Sequence, residues 1–139
     1  MPNLNTINSA VYKLLSNDNT LTGLCNVYKG AKRPINATNP SITVDAKRLE
    51  PGEGEGIWMC DVVITSYIDV QSNRMPDHDA LENIISRVTG ILSDKEIVLN
   101  DAKALPLIEG ESKGPEWQKE HDNETMHESI FGLIFIDFN

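Results

Sequence analysis

Cysteine is scarce here: Cys25 and Cys60 are the chain's two, far apart and outside any CxxC spacing. That excludes a disulfide-stapled scaffold or a cysteine zinc site and leaves a reduced, half-buried pair as the expectation. No stretch reaches the roughly 18 apolar residues of a membrane span. The start, Met1-Pro2-Asn3-Leu4-Asn5, has neither the basic head nor the apolar run of a signal peptide, so synthesis in a cytoplasm is expected. Positive charge is also short: 12 Lys and Arg face 21 Asp and Glu, a net charge of −9. This argues against the clustered cations with which a nucleic-acid binder displaces phosphate counterions. Lys29, Lys32 and Arg33 form the one dense basic group. There is no Gly-x-Ser-x-Gly elbow, no glycine-rich phosphate loop after a strand and no internal repeat.

What is present describes a small α+β domain spanning 1–139, of a size that buries a core without staples. Leu4, Ile7, Val11, Leu14 and Leu15 recur at helical spacing and predict a helix over 4–16, capped by Asn3 or Asn5. Residues 20–24 make a second turn, and Val27-Tyr28 a short strand. Pro34 and Pro40 then keep the following link irregular. Residues 41–46 alternate as a strand with one wet face. Glu50-Pro51-Gly52-Glu53-Gly54-Glu55-Gly56 reads as a mobile hairpin tip, since glycine loosens the backbone and the glutamates repel.

On the long strand that follows, Trp58, Cys60, Val62, Ile64 and Ile68 share a core face. The other face carries Met59, Val63 and Tyr67, too apolar for plain solvent. Leu81, Ile84, Ile85, Val88, Ile91 and Leu92 form the stripe of a second amphipathic helix, with Asp79 and Glu82 at capping-box spacing. Strands are expected near 96–99 and 104–108, then a polar loop over 109–124 and a closing apolar strand over 130–138. The predicted fold is a mostly antiparallel sheet with two amphipathic helices packed on one face.

The groups able to do chemistry are poorly placed for it. Asp77-His78-Asp79 has a metal site's composition, but neighbours at a helix start do not converge on one ion, and the helix dipole explains the aspartates. Glu120-His121-Asp122 reads as a solvated charge run with nothing to tune a general base. His127 precedes the last strand and reads as an edge or interface histidine. Trp117, a large aromatic in a polar segment, is either tucked onto the domain or reserved as an anchor for a partner. The expectation is a non-enzymatic assembly part with no cofactor or metal.

The order of these pieces resembles the tail completion, or tail terminator, proteins of long-tailed bacteriophages. The matching segments are Tyr12-Lys13-Leu14-Leu15, Leu21-Thr22-Gly23-Leu24, and Val27-Tyr28-Lys29-Gly30 with Arg33-Pro34. They continue through Asn39-Pro40-Ser41-Ile42-Thr43-Val44 and Asp61-Val62-Val63-Ile64-Thr65-Ser66-Tyr67. The helix over 79–92 follows, and His127 leads into the closing strand. The resemblance implies a virion subunit that forms a homo-hexameric ring, caps the finished tail tube and meets the head-completion or connector protein. DNA would pass through the lumen without specific binding, and no membrane is involved. Trp117, Glu53, Glu55, Arg33, Met59, Tyr67 and His127 are the expected interface residues. The alternatives are a head-side neck adaptor and, from another class, a small enzyme or ligand-binding domain using the 109–124 loop.

Overall fold

The first apolar stripe becomes α1 (Leu4–Ser16), which buries Ile7, Val11 and Leu15. Its cap is Asn3, whose side chain accepts the Thr6 amide at 2.9 Å. Such a cap is worth about 1 kcal/mol, because it satisfies an amide the first turn leaves open. A single-turn α2 (Asn19–Thr22) follows, capped by Asp18 through the Leu21 amide at 2.8 Å. The second stripe forms α3 (His78–Asp94), burying Leu81, Ile84, Val88, Ile91 and Leu92. Its cap is Asp77, which takes the Ala80 amide at 3.1 Å. The Asp79–Glu82 capping box therefore does not form, and Asp79 lies in the first turn, where the helix dipole favours it.

The computed structural model describes residues 2–71, 75, 77–105, 109–117 and 124–138, with backbone alone for 109–117. Its strands are β1 (Asn26–Lys29), β2 (Ser41–Pro51), β3 (Ile57–Asp69), β4 (Ile97–Val98), β5 (Ala102–Ala104), β6 (Glu109–Trp117) and β7 (Glu124–Asp137). They make a seven-stranded sheet in the order β1-β2-β3-β7-β5-β4, with β6 also paired to β7. Among the described residues, only β1 and β2 run parallel. The predicted mostly antiparallel α+β architecture holds. Ile42 and Val44 of β2, Val62 and Ile64 of β3, and Phe131, Leu133 and Phe135 of β7 join the helical stripes in one core. Among the described residues, no helix is long and apolar enough to cross a membrane.

The strands differ from expectation in four places, the first being that β7 begins at Glu124 rather than near 130 and so includes His127. β2 runs on to Pro51 rather than stopping near 46, because a bulge between Lys47 and Leu49, with Arg48 at φ 52°, lets the polar half stay paired. Residues 109–117, expected as loop, form β6, antiparallel to β7. An outer strand needs no apolar face to form its ladder, so the polar composition concealed it. The 104–108 strand appears as β5 at Ala102–Ala104, while 106–108 and 118–123 lie outside the described residues.

Candidate functional site

Residues alternate in facing along a strand, so the odd positions of β3 point away from the helices. There Ile57 pairs with Ile136, Met59 with Ile134, Val63 with Ile130 and Tyr67 with Met126 across the β3–β7 seam. This outer face is covered at one end and bare at the other.

The cover is the 30–40 crossover between β1 and β2. Parallel neighbours cannot be joined by a tight turn, so the chain must cross a face of the sheet, and the helices already occupy the other. Arg33 stacks on the Tyr67 ring at 3.6 Å from its centroid. Its guanidinium forks onto Glu124, Nη1 to Oε2 at 2.8 Å and Nη2 to Oε1 at 2.7 Å. Asn39 Nδ2 donates to Glu124 at 2.6 Å and to Asp69 at 2.8 Å. The Arg33 and Glu124 side chains are 12% and 7% exposed, so this is a largely buried ion pair. Val63 and Tyr67 are buried within the subunit, and Tyr67 has its cover from Arg33 rather than needing a neighbour. At the apex of this strap, Ile35 is fully exposed.

The bare end lies beside the hairpin tip. Met59 is 52% and Ile136 37% exposed, with Ile57 and Ile134 half-buried around them. The tip closes through the Gly52 amide, which donates to the Ile57 carbonyl at 2.7 Å. Ile57 folds against the tip so closely that a Cβ on Gly52 would sit 2.7 Å from its Cγ2, which is why glycine stands there. Glu53 and Glu55 are exposed on the tip. Trp58 donates from Nε1 to Asp137 at 2.9 Å and ties the tip to the end of β7.

The expected interface residues therefore separate. Arg33 and Tyr67 meet at the covered end, and Met59, Glu53 and Glu55 gather at the bare end. His127 lies on the helix face of β7, buried, opposite Ser66 and with Nδ1 3.5 Å from Ser129 Oγ. Its strand is flanked by β3 and β6, so it is no edge histidine, and burial lowers its pKa from the ordinary value. Trp117 ends β6 with its backbone paired to Thr125. The choice between a tucked and an anchoring ring falls on a side chain outside the described ones. Sequence reasoning missed Glu124, Asn39, Asp69 and Ile35. The usable signal was a basic cluster in a segment without a carboxylate, which needs an acid from elsewhere.

Burial pushes the thiols of Cys25 and Cys60 up to about 12, with Asp61 adding to the second. Both are free and buried, more deeply than the half-burial expected. Among the described residues, no three His, Cys, Asp or Glu side chains are grouped to share a metal ion. Glu120, His121 and Asp122 lie outside those residues. An open groove of about 260 Å³ runs between α1 and β4, lined by Ala10, Leu14, Ile97 and Val98 with Lys13 and Glu96.

No protein-family model matches the chain, and no curated protein matches it in sequence. Among solved structures 22 chains match. One belongs to the virion of a native gene transfer agent particle, with a TM-score of 0.68 at 15% identity over 96% of each chain. At that identity, what the two chains share is the fold, and they share it from end to end.

Proposed function

We propose that this chain is a structural virion subunit that assembles into a ring, caps the tail tube of a phage-type particle and presents a surface to the head-side connector. The observation that carries the reading is the end-to-end fold likeness to a chain of a virion, at 96% coverage of both. Two features of this chain support it. The sheet keeps a bare apolar end, Met59 with Ile136, where a lone subunit gains nothing by exposing it. The β2–β3 tip and the β6–β7 ribbon also extend polar backbone ladders, which suit contacts with neighbours more than a closed pocket. Trp117, at the end of that ribbon, is proposed as an anchor.

Each copy carries a net charge of −9, so a lumen built from such copies repels passing DNA instead of binding it. Duplex DNA should show no measurable binding to the free protein at physiological salt. The deciding experiment is electron microscopy of purified protein mixed with tail tubes. Density confined to one tube end is expected. Density on head connectors instead would favour a neck adaptor, and a monomer that binds neither would refute the assembly reading.

A further inference from the structure

We infer that copies of this chain join head to tail along the outer sheet face. The strap of one copy seats Ile35 on the bare end of the next, against Met59 and Ile136, with Lys32 facing Glu53 and Glu55. The inference rests on the self-association in the proposed function and specifies its contact.

Ile35 is a fully exposed apolar side chain on a strap that is fastened before any partner arrives. Arg33 is forked onto Glu124, Asn39 bridges Glu124 and Asp69, and Asn26 Nδ2 donates to the Thr38 carbonyl at 3.1 Å. A fixed apolar knob loses little conformational freedom on docking, the quality that separates an anchor from a merely exposed residue. The receiving surface has matching chemistry, since Met59 and Ile136 offer a flat apolar floor.

Charge selects the pairing. Residues 26–44 hold Lys29, Lys32 and Arg33 and no carboxylate, whereas residues 50–55 hold Glu50, Glu53 and Glu55 and no cation. In a chain of net charge −9, two acidic ends would repel, and the strap offers exposed Lys32, with Arg33 already engaged by Glu124. A copy cannot satisfy its own patch. Met59 lies eight residues from Tyr67 along β3, roughly 26 Å at strand spacing. Ile35 is two residues beyond Arg33, which reaches about 7 Å at most. Because knob and floor are different surfaces, each copy gives one and receives one. Such a contact repeats, closing into a ring when the rotation per copy allows it.

The test is disulfide trapping with Ile35→Cys and Met59→Cys at low salt under mild oxidation, read on a non-reducing gel. Cys25 and Cys60 are buried and stay silent. The double variant should give a ladder above dimer, an equal mixture of the two single variants should stop at dimer, and neither single variant should cross-link alone. Lys32→Glu should weaken the ladder several-fold, with Glu53→Lys and Glu55→Lys on the same chain restoring it. Independently, Ile35→Asp should shift sedimentation of the unmodified assembly to monomer, with an unfolding midpoint equal to that of wild type diluted until it too is monomeric. A double variant without cross-links, a product that stops at dimer, or Ile35→Asp that sediments like wild type would each overturn the contact. Tube ends capped without a ladder would sink this contact and spare the capping role, and a ladder without capping would do the reverse.

Discussion

The Arg33–Glu124 pair gives the sharpest energetic prediction, because both side chains are largely buried. Arg33→Ala removes both prongs of the fork and the cation above Tyr67, while the Asn39 amide still donates to Glu124 at 2.6 Å. Removing one partner of a buried pair costs about 3–5 kcal/mol, since the other charge stays desolvated. Arg33 retains some water at 12% exposure, which places the expected loss near the lower limit, about 3 kcal/mol. An unfolding entropy of about 2.1 cal/mol/K per residue gives about 0.29 kcal/mol/K for 139 residues, so the midpoint should fall by roughly 10 °C. Arg33→Lys keeps the charge and loses the fork, with an expected cost of about 1 kcal/mol. Arg33→Met with Glu124→Leu should return to within about 1 kcal/mol of wild type, because the desolvation cost disappears together with the attraction. Urea unfolding of the four proteins is the assay. An Arg33→Ala loss under about 0.5 kcal/mol would refute the reasoning, because it would put the pair in the class of surface bridges.

Other measurements follow from the same structure. Burial holds His127 below its ordinary 6.5, so the unfolded chain takes up that proton first and stability should fall as pH drops below about 6.5. His127→Gln should flatten this part of a midpoint-versus-pH series, and an unchanged slope would show the histidine to be solvated. The hydrogen bond from Arg87 holds Asp18 below 3.8, a contribution present at neutral pH and lost as pH falls through the lowered value. Asp18→Asn keeps a capping side chain, so its deficit against wild type should be largest at neutral pH and close in acid. Cys25 and Cys60, with thiols pushed up to about 12, should be inert to a thiol reagent at pH 8 in the native protein and both react in denaturant. Gly52→Ala should cost about 1–3 kcal/mol in urea unfolding through the overlap with Ile57, and Ile57→Ala should relieve part of that cost.

Sequence alone determined the elements whose period is written in apolar residues. α1 and α3 were legible because Ile7, Val11 and Leu15, and Leu81, Ile84 and Val88, repeat at the helical interval and bury that stripe. The two-faced character of β3 was legible because a pleat assigns alternate residues to opposite sides. Where the pattern is polar, such information is missing. β6 and the second half of β2 form through backbone ladders to neighbours, and a ladder leaves no mark in side-chain hydropathy. The cap of α3 fell to Asp77 over Asp79 for a related reason: both are acceptable acceptors, and only the course of the chain decides which meets a free amide.

The outer face shows most plainly what tertiary structure adds. From sequence, Met59, Val63 and Tyr67 form one apolar row in need of a partner. The fold divides the row, covering Tyr67 with a strap from residues 30–40 and leaving Met59 bare. That division depends on Arg33 meeting Glu124, residues 91 positions apart, and on a parallel β1–β2 pair that sends its crossover over this face. Local composition specifies periodicity and charge. Which distant carboxylate neutralises a given cation, and which half of an apolar face stays open, are set by strand order and register, and these exist only once the whole sheet has formed.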